Sequence, residues 1–255
     1  MGVSQGIFLM YDLTQLTLQD VTEMGAHLRG LGKDADSLET VAARCVQYLR
    51  AQLVDVPSGE SACVLARFFK THAYGRLPGD LQSSACNLMQ TNTVADDVKC
   101  LTLMATAGEK RDWCDRTASK GHQAIPLISE KAVEGIPMIS QLIRSFGLDI
   151  SCVVAPDDAL LVELERKTCN VFYIQNALGS EYIPAQSDFV APFGIKSVIG
   201  FGGMLPAGDL FAVILFTKVV IDEDTARLLK TLPLNIKMAM MPLLRKNTFR
   251  DLQLA

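Results

Sequence analysis

The chain has 255 residues, 49% hydrophobic and 20% charged, with a net charge of −4. That composition supplies a globular core and gives no basic footprint for nucleic acid. No apolar run reaches the ~18 residues of a membrane span, and the start, MGVSQGIFLMYDLTQ, lacks the cationic segment of a signal peptide.

Gly6 stands where a myristoylation motif wants Ser or Thr. The expectation is a cytoplasmic chain with neither membrane nor nucleic acid as partner. Seven cysteines, at 45, 63, 86, 100, 114, 152 and 169, form no CxxC pair. Neither a disulfide framework nor a zinc knuckle follows, and most read as small buried hydrophobes.

A leader helix is predicted from Leu16 to Leu31, with Thr17 as cap and Asp20 completing a capping box. A second helix runs from Leu38 to about Val54 behind the cap Ser37, with Val41, Cys45, Tyr48, Leu49 and Leu53 as its stripe. ACVLARFFK at 62–70 and KCLTLMATA at 99–107 read as strands, and a short helix from Pro78 to Met89 lies between them. The polar stretch 109–121 reads as a loop or frayed helix. A short strand at 125–128 precedes a helix capped by Ser129, which Pro137 breaks at Ile136. A helix over 157–167, a strand over 170–174 and a long connection over 176–192 follow.

Two apolar runs, 195–204 and 210–220, flank the turn Pro206-Ala207-Gly208-Asp209 and predict an antiparallel hairpin. The second run is apolar on both faces, so it belongs in the middle of a sheet with cover on both sides. Asp222 caps a last helix that Pro233 and Pro242 must bend or break.

CVLARFFKTHAYGRLPGDLQ, CLTLMATAGEKRDW, GHQAIPLISEKAVEGIPMISQLI, NVFYIQNALGSEYIPAQ and FGIKSVIGFGGMLPAGDLFAVILFTKV together resemble the GAF-like input regions of multidomain bacterial sensor histidine kinases, over roughly residues 38–245. The resemblance implies an α+β domain with a GAF/PAS-like antiparallel sheet. Helices lie on one side of it, and N- and C-terminal helices form a bundle. It also implies a helix-mediated homodimer and a regulatory role in a two-component system. The domain division is then a leader helix at 1–36, a sensory domain at 37–246 and a tail at 247–255 towards an output module. No phospho-acceptor helix or ATP-binding glycine box is present. Covalent bilin attachment is disfavoured, because none of His27, His72 and His122 follows a cysteine.

The chemistry-bearing residues form no enzyme signature. No Ser-His-Asp order, HExxH or glycosidase carboxylate pair is found. Gly200-Phe201-Gly202-Gly203 lacks the lysine of a phosphate loop, so these strand glycines mark a close approach or a bulge. Phe68, Tyr173, Tyr182, Phe189 and Phe201 are candidate walls of a ligand pocket, with Trp113, Arg116 and His122 on the crossover side. The simpler reading of those aromatics is core. Arg67, Arg116 and Lys120 are the cations available to an anionic ligand, and solvated surface charge is their commoner reading. His122 is the one candidate haem ligand, and its simpler role is to tie a loop to the backbone. Cys114, two residues from Arg116, is the candidate redox thiol.

Met24 and Leu28 on the first helix, with Leu232, Ile236, Met240 and Leu243 on the last, are candidate dimer contacts. The leader helix of the same chain is the other available cover. The expected function is a sensory module that binds a small ligand or a partner and signals through dimeric terminal helices to a kinase or similar output. A haem-based gas or redox sensor and a ligand-free dimerisation scaffold are the alternatives.

Overall fold

A computed structural model describes residues 10–156, 170–244 and 246–250. The predicted helix at 157–167, Cys169 and the first nine residues lie outside that description. In chain order the strands and helices are β1 (Tyr11–Asp12), α1 (Leu18–Gly30), α2 (Leu38–Gln52), β2 (Leu53–Asp55), β3 (Glu60–Ser61) and β4 (Cys63–Ala73). There follow α3 (Gly79–Met89), β5 (Lys99–Gly108), β6 (Ala124–Pro126), α4 (Glu130–Glu134), α5 (Pro137–Ser145) and α6 (Ile150–Val154). The described chain closes with β7 (Phe172–Ile174), β8 (Ser197–Met204), β9 (Leu210–Thr217), α7 (Glu223–Leu228) and α8 (Leu232–Met240).

Local chemistry sets most of these boundaries. Thr17 and Asp20 form the reciprocal capping box at the start of α1. Ser37 caps α2 through Thr40 N, and Asp222 caps α7 through Thr225 N. Pro137 opens α5, so the predicted break at Ile136 separates α4 from α5. Pro233 opens α8, and Pro242 falls in the 3-10 turn Met241–Leu243 that ends it.

Six strands form one antiparallel sheet in the order β6-β5-β4-β9-β8-β7. The protein is an α+β fold, with β4 and β9 in the middle. All eight residues of β9 are buried, as two-sided cover requires. A small three-stranded sheet, β1-β2-β3, ties Tyr11 and Asp12 to the chain leaving α2; the sequence reading did not anticipate it.

Each face of the main sheet has its own apolar cluster. On one face α1, α2 and α8 cover Phe68, Phe201, Phe211 and Val213. On the other, the crossover segments from β6 to β8 cover Leu65, Phe69, Leu103, Ile214 and Phe216 through Ile139, Leu142, Phe146 and Val190. The terminal bundle and the crossover helices therefore lie on opposite faces. Gly202 shows how tight this packing is. A Cβ there would lie 2.1 Å from the Phe211 carbonyl oxygen and 3.0 Å from Phe146, so the glycine-rich strand serves close approach.

The proposed dimer contacts need correction. Met24, Leu28, Leu232, Ile236, Met240 and Leu243 are each no more than 2% exposed within the single chain. Helix α1 and the turn after it pack closely on α8: a Cβ at Gly25 would lie 2.6 Å from Asn235 Nδ2, and one at Gly32 2.1 Å from the Ala239 carbonyl oxygen. The leader helix itself covers the inner face of α8, so these six residues are core. The apolar residues left outside on this layer are Leu18, Leu234, Met238 and Met241. Nor does the leader helix stand apart from the sensory domain, because its Val21, Met24 and Leu28 share one cluster with Phe68 and Val213 of the sheet.

The β8–β9 turn is pinned electrostatically. The Asp209 carboxylate accepts from Lys70 Nζ and Lys99 Nζ, each at 2.7 Å, and Lys70 also donates to the Thr71 carbonyl. Burial pushes the Asp209 carboxyl up, but the two ammonium groups outweigh it and hold the group below its usual range. Its contribution to stability is therefore present above about pH 4 and lost as the pH falls further. Asp209→Asn would leave the Lys70 ammonium buried without a counter-charge. Denaturant unfolding should show a loss of about 3–5 kcal/mol at neutral pH, with less further loss on acidification than the wild type shows.

Candidate functional site

The crossover face is mostly apolar, and Arg67 brings a charge to it. This residue sits on β4 between Thr106 of β5 and Ile214 of β9. Its side chain projects to the face opposite Ala66 and Phe68, whose place is in the bundle-side cluster. Nη2 lies 3.4 Å from Ser119 Oγ, and Nε is buried with no hydrogen-bond partner. Burial pulls its pKa down to about 10, so it remains a cation at neutral pH. Among the described residues no carboxylate pairs with it. Lys70, the buried cation of β4, has Asp209.

One pleat along β4 and β9 lie Leu65 and Phe216, beneath an aromatic group. Trp113 meets Phe193 edge-on at 4.6 Å and Phe189 at 5.5 Å, and Phe189 meets Phe216 at 5.0 Å. Lys110 Nζ stands 4.5 Å from the Phe193 ring centre. The backbone of Trp113 is fixed by Thr106 Oγ1, which donates to its carbonyl at 2.9 Å. The loop that presents Phe189 and Phe193 is organised by Gln186. Its amide nitrogen donates to the carbonyls of Ala177 and Ile183, and its oxygen accepts from Gly179 N. A half-buried cation on a central strand thus stands one pleat from an aromatic group.

The residues expected to form one pocket are thus divided. Trp113 and Phe189 meet on the crossover face, with Tyr182 at the edge of the same cluster. Phe68 and Phe201 belong to the bundle-side core, where Phe68 stacks on Phe211. Tyr173 packs on that side too, and its hydroxyl donates to the Ile221 carbonyl. Alternation along a strand sends neighbouring aromatics to opposite faces, which a list of aromatics ignores.

Arg116 lies away from the aromatic wall. Its Nε donates to Glu39 at 2.7 Å, and its Nη1 lies 3.5 Å from Asp80. His122 is exposed, with Nδ1 2.8 Å from the Lys120 carbonyl. That is the loop-tying role; a haem ligand would need a ring enclosed by apolar walls. Cys114 is the one exposed cysteine among those described, and its Sγ lies 3.3 Å from the Gly108 carbonyl. The Arg116 guanidinium, which the sequence sets two residues from it, pairs with Glu39 at 2.7 Å. Sequence reasoning passed over Phe193, Phe216 and the ordering role of Gln186. Phe193, in a Pro-Phe-Gly turn, was the legible signal, since a bulky apolar residue in a loop needs a partner.

His72 is a second unexplained polar group. It is 7% exposed, and among the described residues neither ring nitrogen has a hydrogen-bond partner of ordinary geometry. Burial, and then the Lys70 cation, push its pKa down to about 3.

No family model and no curated protein matches the chain. Among solved structures, it is similar to a free methionine-R-sulfoxide reductase from Neisseria meningitidis, at 8% identity and TM-score 0.47, covering 92% of this chain and 99% of that one. The GAF domain of a cyanobacterial phytochrome with phycoerythrobilin bound matches at 10% identity and TM-score 0.39, over 89% of this chain and 98% of that one. The Stigmatella aurantiaca phytochrome photosensory core module matches at 11% identity and TM-score 0.40, over 88% of this chain and 37% of that one. Identities of this order say nothing of ligand or chemistry. No described helix is long and apolar enough to cross a membrane.

Two outcomes follow from this geometry. An alkylating reagent should modify Cys114 ahead of the other five described cysteines under native conditions, as read by peptide mass spectrometry. For His72, the folded-state pKa lies below the unfolded value, so the unfolded chain binds the extra proton. Stability should fall as pH drops from about 6.5 towards 3. In His72→Met that slope should flatten, and the variant should gain about 1 kcal/mol at neutral pH by losing two unsatisfied nitrogens. An unchanged slope would show that His72 finds a partner in solution.

Proposed function

We propose that the chain is a GAF-like sensory module. It takes a small anionic ligand with an aromatic or apolar body on the crossover face, with Arg67 as the charge contact and Trp113, Phe189 and Phe193 as the wall. The observation that carries this reading is the half-buried Arg67 guanidinium, whose Nε is enclosed without a hydrogen-bond partner and which no carboxylate pairs with among the described residues. A partly buried guanidinium with an enclosed, unpaired Nε is costly, and a ligand carboxylate or phosphate would supply the missing partner through the planar donor fork of arginine.

In this reading the module is regulatory and not itself an enzyme. It acts in the cytoplasm as a homodimer that passes the bound state to a histidine kinase or similar output. With the inner faces of α1 and α8 consumed within the chain, contact between copies falls to Leu18, Leu234, Met238 and Met241, which are exposed on that layer.

The test exploits the opposition between binding and stability. Arg67→Met removes the unpaired charge and keeps the apolar stem. The ligand-free variant should be more stable than the wild type by about 1–2 kcal/mol. It should also lose any anion that native mass spectrometry finds retained by the wild type, and any thermal shift the wild type shows with aromatic carboxylates. A variant less stable than the wild type would make Arg67 an ordinary structural residue and remove the proposal.

A further inference from the structure

We infer that residues 246–250 are a latch on the core, and that the turn at 115–119 is the lever by which the crossover face sets it. What moves the lever rests on the ligand reading of Arg67; the latch rests on contacts within the chain alone.

The latch has no secondary structure of its own, yet it is held at five points. The Asn247 carbonyl accepts from Leu38 N at 3.2 Å, and the Thr248 carbonyl accepts from Glu39 N at 2.9 Å. These are amides that the first turn of α2 cannot satisfy internally. Arg250 N donates to Glu39 Oε2 at 2.9 Å, and Arg250 Nε donates to Thr40 Oγ1 at 3.2 Å. The Phe249 ring lies 5.4 Å from that of His72 and packs on the small cluster of Leu77, Leu81, Ala85, Cys100 and Ala124. It is therefore the lid over the unpartnered imidazole.

Glu39 and Phe249 both lead to Arg116. The other carboxylate oxygen of Glu39 accepts from Arg116 Nε at 2.7 Å, and the Arg116 guanidinium stands 5.7 Å from the centre of the Phe249 ring. Arg116 belongs to the 3-10 turn Arg116–Ala118, which Asp115 caps through Thr117 N. Ser119, three residues on, reaches Arg67 on the other side of the sheet edge, and Trp113, three residues back, stands in the aromatic wall. One short segment thus touches the ligand face with two residues and grips the tail with the residue between them.

The coupling has a defined weak point. The Arg67–Ser119 contact, at 3.4 Å, is at the long limit of a hydrogen bond. An anion that takes the Arg67 guanidinium displaces Ser119, and an apolar body against Trp113 displaces the other end of the same segment. A ligand with those contacts favours the arrangement in which the turn has moved, which is the differential affinity a switch requires. The turn carries Arg116 with it and loosens Glu39 and Phe249, so the tail leaves its seat.

The experiment is hydrogen exchange by mass spectrometry on the full chain without ligand, together with thiol labelling of Cys100. Phe249→Ala and Arg116→Gln should each speed exchange at Leu38, Glu39 and Arg250 by about tenfold or more, as expected when a local unit opens alone. Cys100 should become reactive, and the β9 amides should keep their wild-type protection. Trp113→Leu, on the opposite face, should speed the same three amides by a smaller factor. Wild-type exchange at those amides in both Phe249→Ala and Arg116→Gln would overturn the latch. A response to those two but none to Trp113→Leu would overturn the lever. Faster exchange throughout the sheet in every variant would also overturn the latch as a separate unit. No ligand enters these measurements, so they stand or fall apart from the Arg67→Met result.

Discussion

The pairing of β4 with β9 is the constraint on which the rest depends. Both strands lie in the middle of the sheet, and every residue of β9 is buried. A strand apolar on both faces cannot be satisfied by one layer of helices. The chain must therefore cross both faces, and it does so with separate parts. The terminal helices and α2 take one face, and the connections between β6 and β8 take the other. At the β8–β9 turn the buried charge of the sheet has a partner built for it, as Asp209 is for Lys70 and Lys99. Arg67 Nε and the His72 ring, on the same strand as Lys70, have no hydrogen-bond partner among the described residues.

Much of the fold was legible because its signals are local. Caps at Thr17, Ser37 and Asp222 and prolines at 137 and 233 act over a few residues, and the structure uses each as expected. The hairpin was legible from composition, since two apolar runs around Pro206 and Gly208 have few other solutions. The β1-β2-β3 sheet was not, because strands of two or three residues carry no period. Helix α6, five residues long, escaped for the same reason.

The candidate site was legible in its parts and not in its assembly. Arg67 could be seen in ARFFK, but only strand register shows that it faces away from Phe68 and towards Ile214. The same register moves Phe68 and Phe201 into the core. Arg116 looked like the partner of Cys114 because the two lie close in sequence. Its guanidinium instead reaches Glu39, 77 residues away, and sequence proximity carries no information about that. The apolar stripe of α8 was read correctly as needing cover, yet nothing in the stripe distinguishes a second copy from the chain's own leader helix.

Helix α2 also acts as a strut between the two ends of the described chain. At its C-terminal end it runs directly into β2, whose Leu53 and Val54 pair with Tyr11 and Asp12. At its N-terminal end Leu38 and Glu39 hold Asn247 and Thr248. Fifteen residues of helix separate those attachments, a span of about 22 Å. Whatever precedes Met10 and whatever follows Arg250 therefore depart from opposite poles of one rigid rod. Modules joined at the two ends would be held apart by the length of that rod, and a tilt of α2 against the sheet would swing them in opposite directions.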